Sequence, residues 1–121
     1  MRILQIGAHT GNDHVTKYVT DNPYDFLVLV EANPNCIELL KTNYLDFNNI
    51  EILNLAVVAD DQKSIELHLP SNDLTSQHTS NSKEHLSRHG HRELEKVVID
   101  AQNINDLLDT YFPINRLYID V

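Results

Sequence analysis

Two short segments near the N-terminus carry residue types that could bind an adenosine-type ligand. The first is the turn 7–11, Gly-Ala-His-Thr-Gly, which follows an apolar run, and the second is Glu31, which ends another apolar run. Glycines let a backbone pass close to a ligand, and a helix that follows such a turn offers free N–H groups. An acid that ends the second strand is placed to accept hydrogen bonds from both ribose hydroxyls. Together they predict an adenosine-type cofactor at one edge of a sheet.

The spacing of the glycines limits which adenosine cofactor fits this turn. Gly7 and Gly11 form Gly-x-x-x-Gly, whereas the turn that cradles the pyrophosphate of NAD enzymes is Gly-x-Gly-x-x-Gly. An NAD- or nucleotide-binding protein is therefore the less favoured alternative. A tight strand-to-helix turn beside a solvated glutamate would explain the same residues without any ligand.

The hydrophobic pattern around these residues predicts an alternation of strands and helices. The predicted strands are 2–6, 26–30, 50–58, 65–69, 97–99 and 117–121. Helices are predicted to begin after Asn12 or Asp13, at Asn33-Pro34, and after Asn103. The apolar stripe of the second helix is predicted to be Ile37, Leu40, Tyr44 and Leu45. The order predicts an α/β fold with a doubly wound, mostly parallel sheet.

The number of strands bears on the completeness of that sheet. Of the six predicted strands, about four are expected to be core strands of this sheet, whereas a sheet commonly has about five or six strands. We therefore expect residues 1–121 to be the N-terminal portion of a single larger domain that lacks its C-terminal strands. The last strand is then expected to present an apolar edge that a second copy of the chain could pair with.

Residues 70–93 interrupt the alternation. They are rich in Ser, Asn, Thr, His and charged residues and show no periodicity, so a long polar loop is predicted; loops longer than ~12–15 residues are usually functional or disordered. His85 and His89 have the spacing of zinc ligands on a helix, but no Cys is nearby. A solvated loop explains these histidines better, and no metal site is predicted.

Composition and charge exclude several classes of protein. Eighteen acids against nine Lys and Arg leave a net charge of −9, which argues against nucleic-acid binding, where clustered basic residues supply most of the affinity. No apolar run approaches the ~20 residues of a membrane span, and residues 1–6 lead us to expect no secretory signal. The lone Cys36 excludes an internal disulfide. We expect a cytoplasmic protein without membrane or nucleic-acid partners.

Four motifs of the chain resemble the FkbM-type S-adenosylmethionine-dependent methyltransferases in their order and spacing. They are residues 5–13, 30–34, 54–57 and 117–121, and the resemblance covers essentially the whole chain. It implies a class I, Rossmann-like methyltransferase that transfers a methyl group to an oxygen of a small molecule or sugar. The family usually has an acid where Gln5 stands, and its Asp-Val pair is followed by Glu-Gly and further strands.

The resemblance also implies roles for individual residues. The implied cofactor-binding set is Gln5 near the ammonium, Gly7, Ala8 and Gly11 along the methionine part, Glu31 on the ribose hydroxyls, Ala32, Asn54 and Ala56 by the adenine, and Asp120 near the methionine amino group or the acceptor. Ser76, His78 and Ser80 are expected in a substrate loop.

Methyl transfer to a hydroxyl also needs a base. Asp120 and His9 are the candidate catalytic residues, and His78 is a further candidate base. A surface histidine or a cofactor-facing aspartate is the alternative for each. A truncated, non-catalytic remnant that acts by cofactor binding or by association is the alternative for the whole chain.

Overall fold

The elements along the chain follow the predicted alternation of strands and helices. The computed structural model describes residues 1–71 and 94–120. Its elements are β1 (Arg2–Ile6), α1 (His14–Asp21), β2 (Phe26–Glu31), a 3₁₀ turn (Pro34–Cys36), α2 (Ile37–Asn43), β3 (Ile50–Asn54), β4 (Ala56–Val58), β5 (Ser64–Pro70), β6 (Leu94–Asn103), α3 (Ile104–Thr110) and β7 (Arg116–Ile119). The predictions for Ser76, His78, Ser80, His85 and His89 lie outside the described residues.

The main sheet contains β3, β2, β1 and β7, in that order, and all its pairings are parallel. β1 is central, because Gln5 aligns with Leu29 on one side and with Tyr118 on the other. Parallel strands need crossover connections that cover the faces of the sheet, which makes the inner strands mostly apolar. The predicted α/β class with a parallel sheet is confirmed.

The two faces of the main sheet carry separate hydrophobic clusters. Successive side chains of a strand point to opposite faces, so Ile3 of β1 faces one cluster and Leu4 the other. The buried cluster against α1 and α2 contains Ile3, Ala8, Val15, Val19, Leu27, Leu29, Leu40 and Tyr44. The cluster against α3 contains Leu4, Ile6, Val28, Val30 and Leu107.

A second, smaller sheet contains β4, β6 and β5. β4 pairs with β6 in parallel, and β5 pairs with β6 in antiparallel orientation. The prediction of one strand over 50–58 is wrong, because the chain leaves the main sheet at Leu55, whose N–H donates to the carbonyl of Glu31. An uninterrupted apolar run cannot reveal where a strand changes partners.

The helices are short: α1 has eight residues, and α2 and α3 have seven each. The prediction that Leu45 belongs to the apolar stripe of the second helix is wrong. α2 ends at Asn43, and Leu45 lies in the following turn with 79% of its surface exposed. Within residues 1–71 and 94–120, no helix has the length and apolar character needed to cross a membrane.

β7 forms one edge of the main sheet. It pairs with β1 on one side and with no other strand of residues 1–71 and 94–120. Leu117 and Ile119 of this strand are exposed by 41% and 54%. The predicted apolar edge is therefore present in the described part of the chain.

Gly7 follows β1 and lies against the backbone of Asp120 after β7, so replacing it should damage the fold. Its φ is +85°, and a Cβ there would overlap the carbonyl oxygen of Asp120. We expect Gly7→Ala to lower the free energy of unfolding by about 2 kcal/mol or more, because left-handed strain alone costs ~1–2 kcal/mol. Urea denaturation measures this change. The exposed neighbour Asn12→Ala is the control, and an equal effect of both variants would contradict the steric explanation.

Candidate functional site

The parallel sheet brings the ends of its strands to one edge. Gly7 follows β1, Glu31 ends β2, Asn54 ends β3, and Asp120 follows β7. The backbone N–H of Asp120 donates to the carbonyl of Ile6 over 2.9 Å, which sets Asp120 beside Gly7. Ligands of open α/β sheets bind outside the carboxyl ends of the strands. This edge is the candidate site.

Glu31 is the most constrained polar residue of the edge. Its Oε1 accepts the backbone N–H of His9 over 2.8 Å, and its Oε2 accepts the N–H of Asn33 over 2.7 Å. Only 8% of the residue is exposed. A carboxylate has about four lone-pair positions, so about two remain for another donor. Glu31 therefore ties the turn 7–11 to the end of β2 and retains acceptor capacity.

The turn 7–11 has a left-handed backbone at several positions. The φ angles of Gly7, His9 and Gly11 are +85°, +50° and +82°. The N–H of Gly11 donates to the carbonyl of Ala8 over 3.0 Å, which closes the turn. A non-glycine residue in this region is strained, and the hydrogen bond from His9 to Glu31 is one contact that holds it there.

Helix α2 supports the turn from one side. The side-chain amide of Asn43 donates to the carbonyl of Thr10 over 2.5 Å, and the hydroxyls of Tyr44 and Thr16 lie 2.8 Å apart. A Cβ on Gly11 would come within 2.8 Å of both Leu40 and Tyr44. The small size of Gly11 is thus required by packing against α2, a reason that the sequence pattern did not reveal.

Gln5 and Asp13 flank the turn and are joined by a hydrogen bond. The Nε2 of Gln5 donates to Oδ2 of Asp13 over 2.8 Å. Oδ1 of Asp13 accepts the N–H groups of Val15 and Thr16 at the start of α1. Of the two predicted caps for this helix, Asn12 and Asp13, the structure selects Asp13. The carboxylate thus occupies the helix N-terminus that a ligand anion would need.

Asn54 and the alanines extend the edge toward β3 and the small sheet. The amide of Asn54 donates to the carbonyls of Glu31 and Ala32 over 3.0 and 2.9 Å. Ala32 is half-buried against the small sheet, and Ala56 is 4% exposed in the core of that sheet. Asn54 therefore fixes the backbone that carries Glu31.

The structure brings the predicted site residues together to different degrees. Gly7, His9, Glu31, Asn54 and Asp120 gather at the edge, and Asp120 is exposed there. The side chains of Gln5 and Ala8 are instead buried, with exposed fractions of 0% and 1%. Among the described residues, no group of three His, Cys, Asp or Glu side chains is arranged to hold a metal ion.

Several contacts of the edge could not be anticipated from the motifs. The bonds to the carboxylate of Glu31 come from the backbone N–H groups of His9 and Asn33, and Asn43 reaches Thr10 across more than thirty positions of sequence. Only the cap residues Asp13 and Asn33 carry a local sequence signal, since Asp and Asn are favoured at helix starts.

Comparisons with known proteins return no relative. No family model, no curated protein and no solved structure matches the chain. The resemblance of the four motifs to FkbM-type methyltransferases therefore has no counterpart in these comparisons. Any function for the chain is inferred from its own residues and contacts.

The two hydrogen bonds accepted by Glu31 predict a loss of stability when one oxygen becomes an NH₂ group. In Glu31→Gln the new NH₂ group faces the N–H of either His9 or Asn33, so one of these two N–H groups loses its acceptor. We expect a decrease of about 1–3 kcal/mol in the free energy of unfolding without any ligand. Urea denaturation measures it, with the exposed Glu38→Gln as control. Unchanged stability of Glu31→Gln would show that the carboxylate does not hold the turn.

The buried hydroxyl of Tyr44 leads us to expect a loss of stability at alkaline pH. Burial raises the pKa of Tyr44 from 10.0 to about 12. Because the folded state keeps this proton longer than the unfolded chain does, the contribution of Tyr44 to stability is constant below pH 10 and falls as the pH rises from 10 toward about 12. Tyr44→Phe should reduce this slope and cost about 1 kcal/mol at neutral pH through the lost hydrogen bond to Thr16.

Denaturation series at several pH values test this expectation. Burial also raises the pKa of Tyr111 to about 12, so some slope will remain in Tyr44→Phe. Tyr111→Phe serves as the matched variant. A slope in Tyr44→Phe equal to that of the unmodified protein would contradict the role of Tyr44.

Proposed function

We propose that this chain binds S-adenosylmethionine at the carboxyl edge of its parallel sheet and acts as a methyltransferase of the FkbM type. The proposed fold is Rossmann-like and of class I, and the proposed acceptor is an oxygen of a small molecule or sugar. The observation that carries the proposal is the carboxylate of Glu31, which lies at the end of β2 beside the turn 7–11. The strand order β3-β2-β1-β7 is consistent with such a fold.

The hydrogen-bonding character of the edge fits this cofactor. Ribose hydroxyls and an ammonium group are donors, and the side chains available near the turn are acceptors. Glu31 has about two lone-pair positions beyond its backbone partners, and Asp120 presents an exposed carboxylate beside Gly7. The residues would therefore hold the ribose through Glu31 and the amino group on the side of Asp120.

The NAD alternative is disfavoured by the start of α1. A pyrophosphate needs free N–H groups at a helix N-terminus. In this chain the carboxylate of Asp13 already accepts the N–H groups of Val15 and Thr16. A second anion beside that carboxylate would be repelled, so a cationic ligand is preferred at this position.

The chain's own contribution to methyl transfer is alignment and proton removal. S-adenosylmethionine supplies an activated methyl group, and holding the acceptor oxygen in line with it lowers the barrier by avoiding the entropy of encounter. The acceptor hydroxyl must lose its proton as the new bond forms. Asp120, exposed at the edge, and His9, half-buried in the turn, are the proposed bases.

A second candidate function is binding of the cofactor without catalysis. The exposed Leu117 and Ile119 on the edge strand β7 favour it, because an exposed apolar edge strand can pair with another chain. Binding alone does not distinguish the two functions, whereas methyl transfer to an added acceptor would.

Calorimetric titration with S-adenosylhomocysteine tests the proposal. We expect binding by the unmodified chain, at least about tenfold weaker binding by Glu31→Ala, because hydrogen bonds to a charged group contribute ~1.5–3 kcal/mol, and no binding of NADH. Glu38→Ala, on the exposed face of α2, is the matched control. Each variant is first shown to be folded by circular dichroism. Binding of NADH in place of S-adenosylhomocysteine, or of neither by a folded chain, would contradict the proposal.

A further inference from the structure

Gln5 is a buried polar side chain that the described structure leaves incompletely paired. Its exposed fraction is 0%, and its Nε2 donates to Asp13. Its Oε1 has no hydrogen-bond partner among residues 1–71 and 94–120. Nearly all buried polar groups in proteins are paired, so an unpaired oxygen in the strand that enters the candidate site requires an explanation.

Asp13 determines which way the amide of Gln5 points. An ionised carboxylate only accepts hydrogen bonds, so the NH₂ group must face Asp13 and the oxygen must point elsewhere. Asp13 is itself held in place, because its other oxygen accepts the N–H groups of Val15 and Thr16. The start of α1 therefore fixes the side chain of Asp13, and Asp13 in turn fixes the orientation of the Gln5 amide.

The pair lies at the base of the turn 7–11. Gln5 precedes the turn on β1 and Asp13 follows it, so their 2.8 Å hydrogen bond closes the turn at its base. The carboxylate of Asp13 carries a negative charge, and the amide oxygen of Gln5 is the negative end of the amide dipole. Because Gln5 is covered by the chain, its amide could influence a ligand at the turn only through its electric field, which is stronger in a buried setting than in water.

We propose that Asp13 is a positioning residue: by orienting the amide of Gln5 and adding its own charge, it makes the base of the turn favour a ligand that places an ammonium group there. The inference rests on the proposed function, since the ammonium of S-adenosylmethionine is the cationic group concerned. It gives this chain a source of negative charge next to Gln5, which itself carries none.

The variant Asp13→Asn tests the proposal. Asn caps a helix about as well as Asp, but its NH₂ group would face Gln5, whose amide must then turn around and present its own NH₂ group. We expect affinity for S-adenosylhomocysteine to fall roughly fivefold or more, since the negative charge of residue 13 is removed and the amide dipole of Gln5 is reversed. Affinity for 5′-methylthioadenosine, which lacks the amino-acid end, should change less than about twofold by the same reasoning.

A double variant and a control sharpen the test. Asp13→Asn combined with Gln5→Glu exchanges amide and carboxylate, which restores the hydrogen bond and the charge, so affinity for S-adenosylhomocysteine should recover. Asp21→Asn removes the same charge at the far end of α1 and should leave both affinities unchanged. Thermal melts establish that each variant is folded.

The outcomes separate this inference from the proposed function. Binding of neither ligand by the unmodified chain would overturn both. If the unmodified chain binds, then equal weakening of both ligands by Asp13→Asn, no weakening, or no recovery in the double variant would overturn the inference alone. Selective loss followed by recovery would support it.

Discussion

The carboxylate of Glu31 must satisfy two backbone N–H groups at once, and the geometry of the sheet edge depends on that constraint. One N–H belongs to His9, whose φ of +50° is strained, and the other belongs to Asn33 after β2. Without this acceptor, the backbone N–H of His9, a residue with a left-handed φ, would lose its hydrogen bond. A side chain predicted to bind a ligand is thus also a structural link between two strand ends.

Around that link, the turn is fixed by contacts from each neighbouring element. Asn43 holds the carbonyl of Thr10, Asp120 of the β7 end lies against Gly7, and Asp13 with Gln5 closes the base. The two glycines are therefore explained by the closeness of protein atoms. This rigidity suits a binding edge, because a preorganised site loses less entropy when a ligand is ordered on it.

The sequence predicted the parallel sheet because continuous apolar runs separated by amphipathic segments permit few other arrangements. It also predicted that Gly7 and Glu31 lie at one edge of the sheet, and the family resemblance implied that Asn54 and Asp120 lie beside the same cofactor. The sequence failed to predict strand bounds and side-chain burial where these depend on which elements pack together. The division of residues 50–58 at Leu55 and the burial of Gln5 depend on strand pairing and tertiary packing, which the local hydrophobic pattern does not reveal.

The central claim is that the edge around Glu31 receives the adenosine part of a cationic cofactor. The most direct measurement is a residue-resolved amide spectrum by NMR as S-adenosylhomocysteine is added. We expect the amides of His9 and Asn33, which both donate to Glu31, to shift in a saturable way while that of Val98, in the small sheet, does not. Unchanged amides at His9 and Asn33 in a folded chain, or equal shifts with NADH, would contradict the claim.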